Sequence, residues 1–116
     1  MENLDKYINK TISEARLEGS TLVLKFNDNT KIELYDNGQS CCESRYMHTD
    51  DDLSYYSDSV LLGIELLNGC SEGDNHDIIK ESQFLHVKTS KGTFTMVNYN
   101  EHNGYYGGFS IDIKEL

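Results

Sequence analysis

The amino-acid sequence predicts an α+β fold: a single antiparallel sheet, curved or half-barrelled, with one short helix packed against its side or end. Three observations carry this expectation. Short segments of alternating apolar and polar residues recur along the chain. Clusters of Asn, Asp, Gly and Ser separate them as turns. One segment, Thr49-Asp50-Asp51-Asp52-Leu53, instead places a capping residue and acids where a helix would begin.

Residues 2–9 are short and mixed, and read as a frayed helix or an N-terminal arm. Thr11 to Leu17 reads as a first strand through Ile12, Ala15 and Leu17. Thr21 to Phe26 alternates, with Leu22, Leu24 and Phe26 on one face and Val23 and Lys25 on the other. Asn27-Asp28-Asn29-Thr30 is turn chemistry, because Asn and Asp tolerate left-handed backbone and bond their own main chain. Lys31 to Tyr35 alternates again with Ile32 and Leu34 inward, which completes a hairpin that Asp36-Asn37-Gly38 ends. Thr49 or Asp50 is the expected N-cap of a helix reaching Asp58, with Leu53 and Tyr56 on its buried side. Val60 to Leu67 is apolar enough for a central strand, and Gly69 to Asp77 reads as a polar loop. Phe84 to Thr89 is a strand, Ser90-Lys91-Gly92 a tight turn, and Thr93 to Tyr99 the return strand with Phe94, Met96 and Asn98 on one face. Phe109 to Ile113 closes the chain as a last strand. No repeat or linker interrupts this order, so residues 1–116 are expected to form one domain.

Composition narrows the function classes. The chain has 116 residues and a net charge of −10. Eight Tyr and four Phe argue against disorder. The charge is uneven: residues 43–81 hold ten acids and two bases, net −8, whereas residues 82–116 are balanced at three of each. Direct binding to nucleic acid is disfavoured, since phosphate recognition needs Lys and Arg to displace counterions. A basic protein partner fits this field. No apolar run approaches the roughly 20 residues of a membrane span. No basic stretch followed by an apolar one marks a signal peptide at the N-terminus. The three Cys, two of them adjacent, do not form a disulfide framework. These features predict a reduced, cytoplasmic setting with no membrane partner.

Two polar blocks stand out from the scaffold, residues 41–53 and 98–109. Both leave strands near hairpin ends, where they can meet at one rim of the sheet. They supply the candidate sites. A nucleophilic site would use Cys41 or Cys42 with His102 as base and Glu43, Asn100 or Asn103 as its orienter. A metal site would use Cys42, His48 and His102, although adjacent thiols on an extended segment point to opposite faces and no Cys-x-x-Cys occurs. Asp50 to Asp52 lack the glycine and final glutamate of a calcium loop. The glycines at 104, 107 and 108 do not have phosphate-loop spacing and instead suit turns or close backbone approach. A partner-binding surface would use Glu43, Asp50, Asp51, Asp52 and Asp58 with the aromatic platform of Tyr99, Tyr105 and Tyr106. Arg45, the lone base between Lys31 and Lys80, is expected to pair with Glu43 or one of Asp50 to Asp52 and hold the first block in shape.

The string Asp36-x-Gly38-x-x-Cys41-Cys42-Glu43-x-Arg45-Tyr46-Met47-x-Thr49-Asp50-Asp51-Asp52-Leu53, together with Gly92-Thr93-Phe94-Thr95 and His102-Asn103-Gly104-Tyr105-Tyr106-Gly107-Gly108-Phe109, resembles a family of small uncharacterised domains from phages, mobile elements and low-GC bacteria. The resemblance runs from about residue 20 to the C-terminus. It implies a genomic setting and no particular activity. By analogy with small acidic phage proteins, the expected function is a non-enzymatic counter-defence inhibitor, similar to anti-CRISPR proteins. It would engage a basic nucleic-acid-handling host protein, such as a CRISPR effector, through its acidic surface and without a cofactor. The alternative is a Cys/His enzyme or metal binder where the two blocks meet. A plainer module, whose blocks serve its own turns and a homodimer seam, is the third reading.

Overall fold

A computed structural model of the protein describes residues 4–38, 43–73, 78–103 and 107–116. Among the described residues there are eight strands: β1 (Thr11–Glu18), β2 (Thr21–Phe26), β3 (Lys31–Asp36), β4 (Ser44–His48), β5 (Ser59–Gly73), β6 (Ile79–Thr89), β7 (Gly92–His102) and β8 (Ile111–Glu115). They lie in one open antiparallel sheet in the order β4-β7-β6-β5-β1-β2-β3-β8. The antiparallel sheet matches the expectation and the helix does not. Among the described residues the helical segments are two 3₁₀ turns, Asp5–Tyr7 and Leu53–Tyr56, so the class is all-β.

The side chains of residues 49–58 explain the missing helix. Thr49 Oγ1 donates to Thr95 O at 2.7 Å, and Thr95 N donates to Asp51 Oδ2 at 2.7 Å. Both groups of Thr95 thus find partners in the side chains that follow β4, where the backbone ladder ends at His48↔Val97. The N-cap is Asp52, which accepts from Ser54 N at 3.1 Å. A single turn follows before Ser57 becomes extended and Asp58 takes a φ of +66°. Ser-Tyr-Tyr-Ser has little helix propensity to resist this exit. Leu53 is nonetheless buried, and the Tyr56 ring lies 4.8 Å from that of Phe94, so the turn covers the core as the helix was expected to do.

The core is the inner face of the curved sheet. Leu22, Leu24, Ile32, Leu34, Leu61, Leu85, Val87, Phe94 and Met96 are all fully buried there, joined by Tyr7 and Ile12. Val23, expected on the outer face, is buried as well. Asn29 takes the positive φ that the second turn requires, 71°, and Asp28 Oδ1 accepts from Thr30 N at 3.0 Å.

Several strand boundaries differ from the expectation: β6 begins at Ile79 rather than Phe84, and β7 runs on to His102 rather than Tyr99. β4 lies inside the first polar block, where charged inward residues hide the alternation. β5 runs on to Gly73, into the segment read as a loop. β8 starts at Ile111 rather than Phe109. The length of β5 lets it serve both halves of the sheet. It pairs with β1 only through Thr11↔Val60 and Ile12↔Ser59, and with β6 from Leu61 to Gly73.

Candidate functional site

Along β7 the buried face changes from apolar to polar. Phe94 and Met96 give way to Asn98, Asn100 and His102, all buried. The neighbouring strands change in step. On β6, Gln83 sits opposite Asn98 and Glu81 opposite Asn100; on β4, Met47 sits opposite Asn98 and Arg45 opposite Asn100. One end of the sheet interior is therefore a polar layer.

Arg45 organises that layer. Its side chain is 7% exposed, that of Glu43 1% and that of Asp36 10%. Arg45 Nη2 donates to Glu43 Oε2 at 2.8 Å, and Nη1 donates to Asp36 Oδ1 at 2.8 Å and Oδ2 at 3.0 Å. Burial alone would lower the guanidinium pKa, but these carboxylate bonds outweigh it and the pKa is raised. Asn100 Nδ2 donates both to Glu43 Oε2 at 2.8 Å and to Gly108 O at 3.0 Å. Asp36 Oδ1 also accepts from Gly38 N and Ser110 N. The two polar blocks therefore meet, through Glu43 and Arg45 of the first and Asn100, Gly107 and Gly108 of the second.

His102 joins the layer through a residue outside both blocks. Its Nε2 lies 2.6 Å from Glu81 Oε1, which also accepts from Gly108 N at 3.1 Å. A Cβ on Gly107 would stand 2.5 Å from Glu81 Oε1 and 3.2 Å from His102 Nε2, so a methyl there would have to displace the Glu81 carboxylate from His102, and the φ of +153° itself favours glycine. The expected orienters of His102 were Glu43, Asn100 or Asn103, and the carboxylate found there is Glu81. Glu81, Gln83, Leu85 and Val87 share one period-two face, which extends the strand three residues further towards the N-terminus than its expected start at Phe84 and brings Glu81 into the layer. His102 also lines a depression of about 290 Å³ with Ile78, Glu101 and Asn103. Cys41 and Cys42 lie outside the described residues, as do Tyr105 and Tyr106.

His48 does not join His102. It sits opposite Val97 on the outer face, is exposed, and has Nε2 2.8 Å from Asp50 Oδ1. Successive residues on a strand face opposite ways, so His48 lies across the sheet from the buried polar layer. The structure does not assemble the Cys42–His48–His102 metal set through its two histidines. Among the described residues no group of three or more His, Cys, Asp or Glu is arranged to hold a metal ion.

The expected partner-binding residues separate into three places. Glu43 is buried in the ion network and unavailable at the surface. Tyr99 lies on the outer face, stacked on Tyr46 at 5.0 Å with Lys80 Nζ 4.6 Å from its centroid. Asp50, Asp51, Asp52 and Asp58 are exposed on the segment that bridges β4 and β5, beside Tyr55, which is 60% exposed. Burial, and then the Asp51 carboxylate, raises the Tyr56 phenol pKa, consistent with a negative local field at this rim. Arg45 pairs with Glu43 as expected, but its second partner is Asp36 rather than one of Asp50 to Asp52.

Among the described residues no helix is long and apolar enough to cross a membrane. A family model described as Domain of unknown function (DUF7448) matches residues 5–111. No curated protein and no solved structure matches the chain.

Proposed function

We propose, for a chain that belongs to the DUF7448 family, that it is a non-enzymatic binding protein whose acidic rim engages a basic protein. The observation that carries the reading is the segment from Asp50 to Asp58. It exposes four carboxylates around an exposed tyrosine, Tyr55, on a backbone fixed by the hydrogen bonds that Asp51 and Asp52 accept from Thr95 N and Ser54 N. Acids held in place lose little further entropy on binding, and the Tyr55 ring among them already draws a cation, with Lys91 Nζ 5.8 Å from its centroid. The partner class is a nucleic-acid-handling protein, whose phosphate-binding channel is cationic by necessity. The narrower reading, inhibition of a CRISPR effector, draws its support from the resemblance to phage-type domains together with this charge.

The structure refines the test. Reversing Asp51 or Asp52 would also remove a bond that shapes the rim, and Asp58 has a left-handed backbone that Asn tolerates better than Lys. The informative variant is therefore Asp50→Lys combined with Asp58→Asn. Its control is Asp5→Lys combined with Glu18→Lys. Binding to a purified RNA-guided DNA nuclease should weaken with rising salt and fall at least tenfold in the first variant only. Equal losses in both variants would defeat the reading.

A second reading places a Cys/His site at the polar layer. It is favoured by the Glu81–His102 pair at the edge of a depression close to the roughly 300 Å³ lower limit of small-molecule sites. It requires a thiol of the first block to be activated by His102. Alkylation rate against pH decides it: a thiol titrating below the usual value of about 8.5, and returning to that value in His102→Gln, would support it. An unchanged profile would exclude it.

A further inference from the structure

We propose that the free edge of β5 pairs antiparallel with the same edge of a second copy, joining two molecules through a continuous sheet. Leu61 still exchanges backbone hydrogen bonds with Asn9 and Lys10, but beyond it, among the described residues, no strand pairs with the side of β5 turned away from β6, although β5 continues to Gly73. β1 runs antiparallel to β5, so its course from Ile12 to Glu18 leads away from this edge and alongside the Leu53–Tyr56 turn, and does not cover it. The sheet is therefore open in its middle as well as at its two ends.

The three openings differ in chemistry. At one end β8 carries Asp112, Lys114 and Glu115, the last paired with Lys6 at 2.8 Å. At the other, β4 carries Arg45 in the ion network and the exposed His48. Charged side chains are the usual guard of an edge strand against pairing. The edge Leu62-Gly63-Ile64-Glu65-Leu66-Leu67-Asn68 has one charge, Glu65, which pairs with Lys88 of β6 at 2.9 Å. Leu62 is 52% exposed and Leu67 38%, two of the five exposed large hydrophobics among the described residues. Within the most acidic third of the chain, this apolar strand is locally close to neutral.

That pattern suits a copy of itself. Antiparallel pairing of one strand with its twofold mate keeps each face continuous. A register centred on Ile64 sets Glu65 against Gly63 of the copy, and one centred on Leu66 sets it against Leu67. In neither register does the charge meet its own kind, and both continue the Ile64 and Leu66 face that packs against the core. The contact is small, and each molecule carries −10, so the association is weak. Screening that repulsion strengthens it. Salt therefore moves this contact in the opposite direction from engagement of a basic partner by the acidic rim.

Sedimentation velocity on the full chain under reducing conditions tests the proposal, from low micromolar to several hundred micromolar at low and high salt. The expected result is a monomer at low concentration and salt that shifts to a dimer as either rises. Leu62→Lys and Leu67→Lys should each remain monomeric with melting temperatures near that of the parent, because both positions are exposed. Ile111→Lys on β8 should dimerise like the parent. Amide exchange across 62–68 in the unmodified chain gives a reading free of variants and should slow with concentration. A monomer throughout, exchange indifferent to concentration, or a dimer broken by Ile111→Lys and spared by both leucine variants would overturn it.

Discussion

Arg45 and Asp36 join the two halves of the sheet. One guanidinium nitrogen reaches both carboxylate oxygens, at 2.8 and 3.0 Å, from β4 at one end of the strand order to β3, next to last at the other. Among the described residues no backbone ladder links these strands, so the ion network is a cross-brace over the seam between them. A buried charge that loses its partner costs far more than the intact pair contributes. Arg45→Met should therefore destabilise the protein by about 3–5 kcal/mol, since it leaves Glu43 and Asp36 uncompensated. Glu43→Gln, which keeps a group able to bond Asn100 and leaves Arg45 with Asp36, should cost less. Urea denaturation of both variants gives the comparison.

Gly107→Ala tests the close approach at the other side of the layer. The added methyl would meet Glu81 Oε1 and His102 Nε2, at a φ of +153° that disfavours L side chains. The expected loss is about 1–3 kcal/mol. A shift in the His102 ring resonances on NMR should accompany it, because the methyl enters the His102–Glu81 contact. An unaltered His102 spectrum would mean that the contact is not made in solution.

Three consecutive acids should behave differently. Asp50→Ala, which removes only an exposed pair with His48, should stay within roughly 0.5 kcal/mol of the parent. Asp52→Ala loses a cap and Asp51→Ala the acceptor of Thr95 N, each costing about 1 kcal/mol. Thermal denaturation separates these outcomes. Equal effects at the three positions would contradict the assigned bonds.

Acid should weaken one surface brace in a defined direction. The Lys10 ammonium, followed by the Thr30 hydroxyl and amide, holds the Asp28 carboxyl well below its ordinary 3.8. A depressed folded-state pKa stabilises the protein above the unfolded value and loses that contribution as pH falls through the folded one. The advantage of the parent over Asp28→Asn should thus be level above about pH 5 and shrink steadily below pH 4. Melting temperatures of the two chains across that range provide the check.

The apolar strands were legible in the sequence because burial there follows the backbone period: Leu22, Leu24, Ile32, Leu34, Phe94 and Met96 are inward as alternation requires. β4 was not, because its inward residues, Arg45 and Met47, are charged and apolar by turns and Glu43 enters the same layer. A period-two scan for hydrophobicity cannot mark a face that is half ions. The helix failed for a related reason. Acids that suit a helix start also suit bonds to a neighbouring strand, and Thr95 takes Asp51. The meeting of the two polar blocks was open to inference from their places beside hairpin ends. The part played by Asp36 was not, since it is an ordinary strand residue until the fold brings β3 to Arg45 of β4, whereas Glu81 sits on the β6 alternation three residues before Phe84.

The pairing of β3 with β8 also governs how the chain reaches this state. Ile32 sits against Glu115 and Asp36 against Ile111, so this ladder closes a loop that contains most of the molecule. The β5–β6 and β6–β7 hairpins, by contrast, are made between sequence neighbours. Local hairpins form on the order of microseconds, whereas sheets that need distant pairings complete on the order of milliseconds to seconds. Refolding should therefore assemble the β5–β6–β7 meander early and dock β8 late. Until β8 docks, the outer edge of β3 has no strand beside it, and a chain that has not yet reached Ile111 is a template without its partner strand.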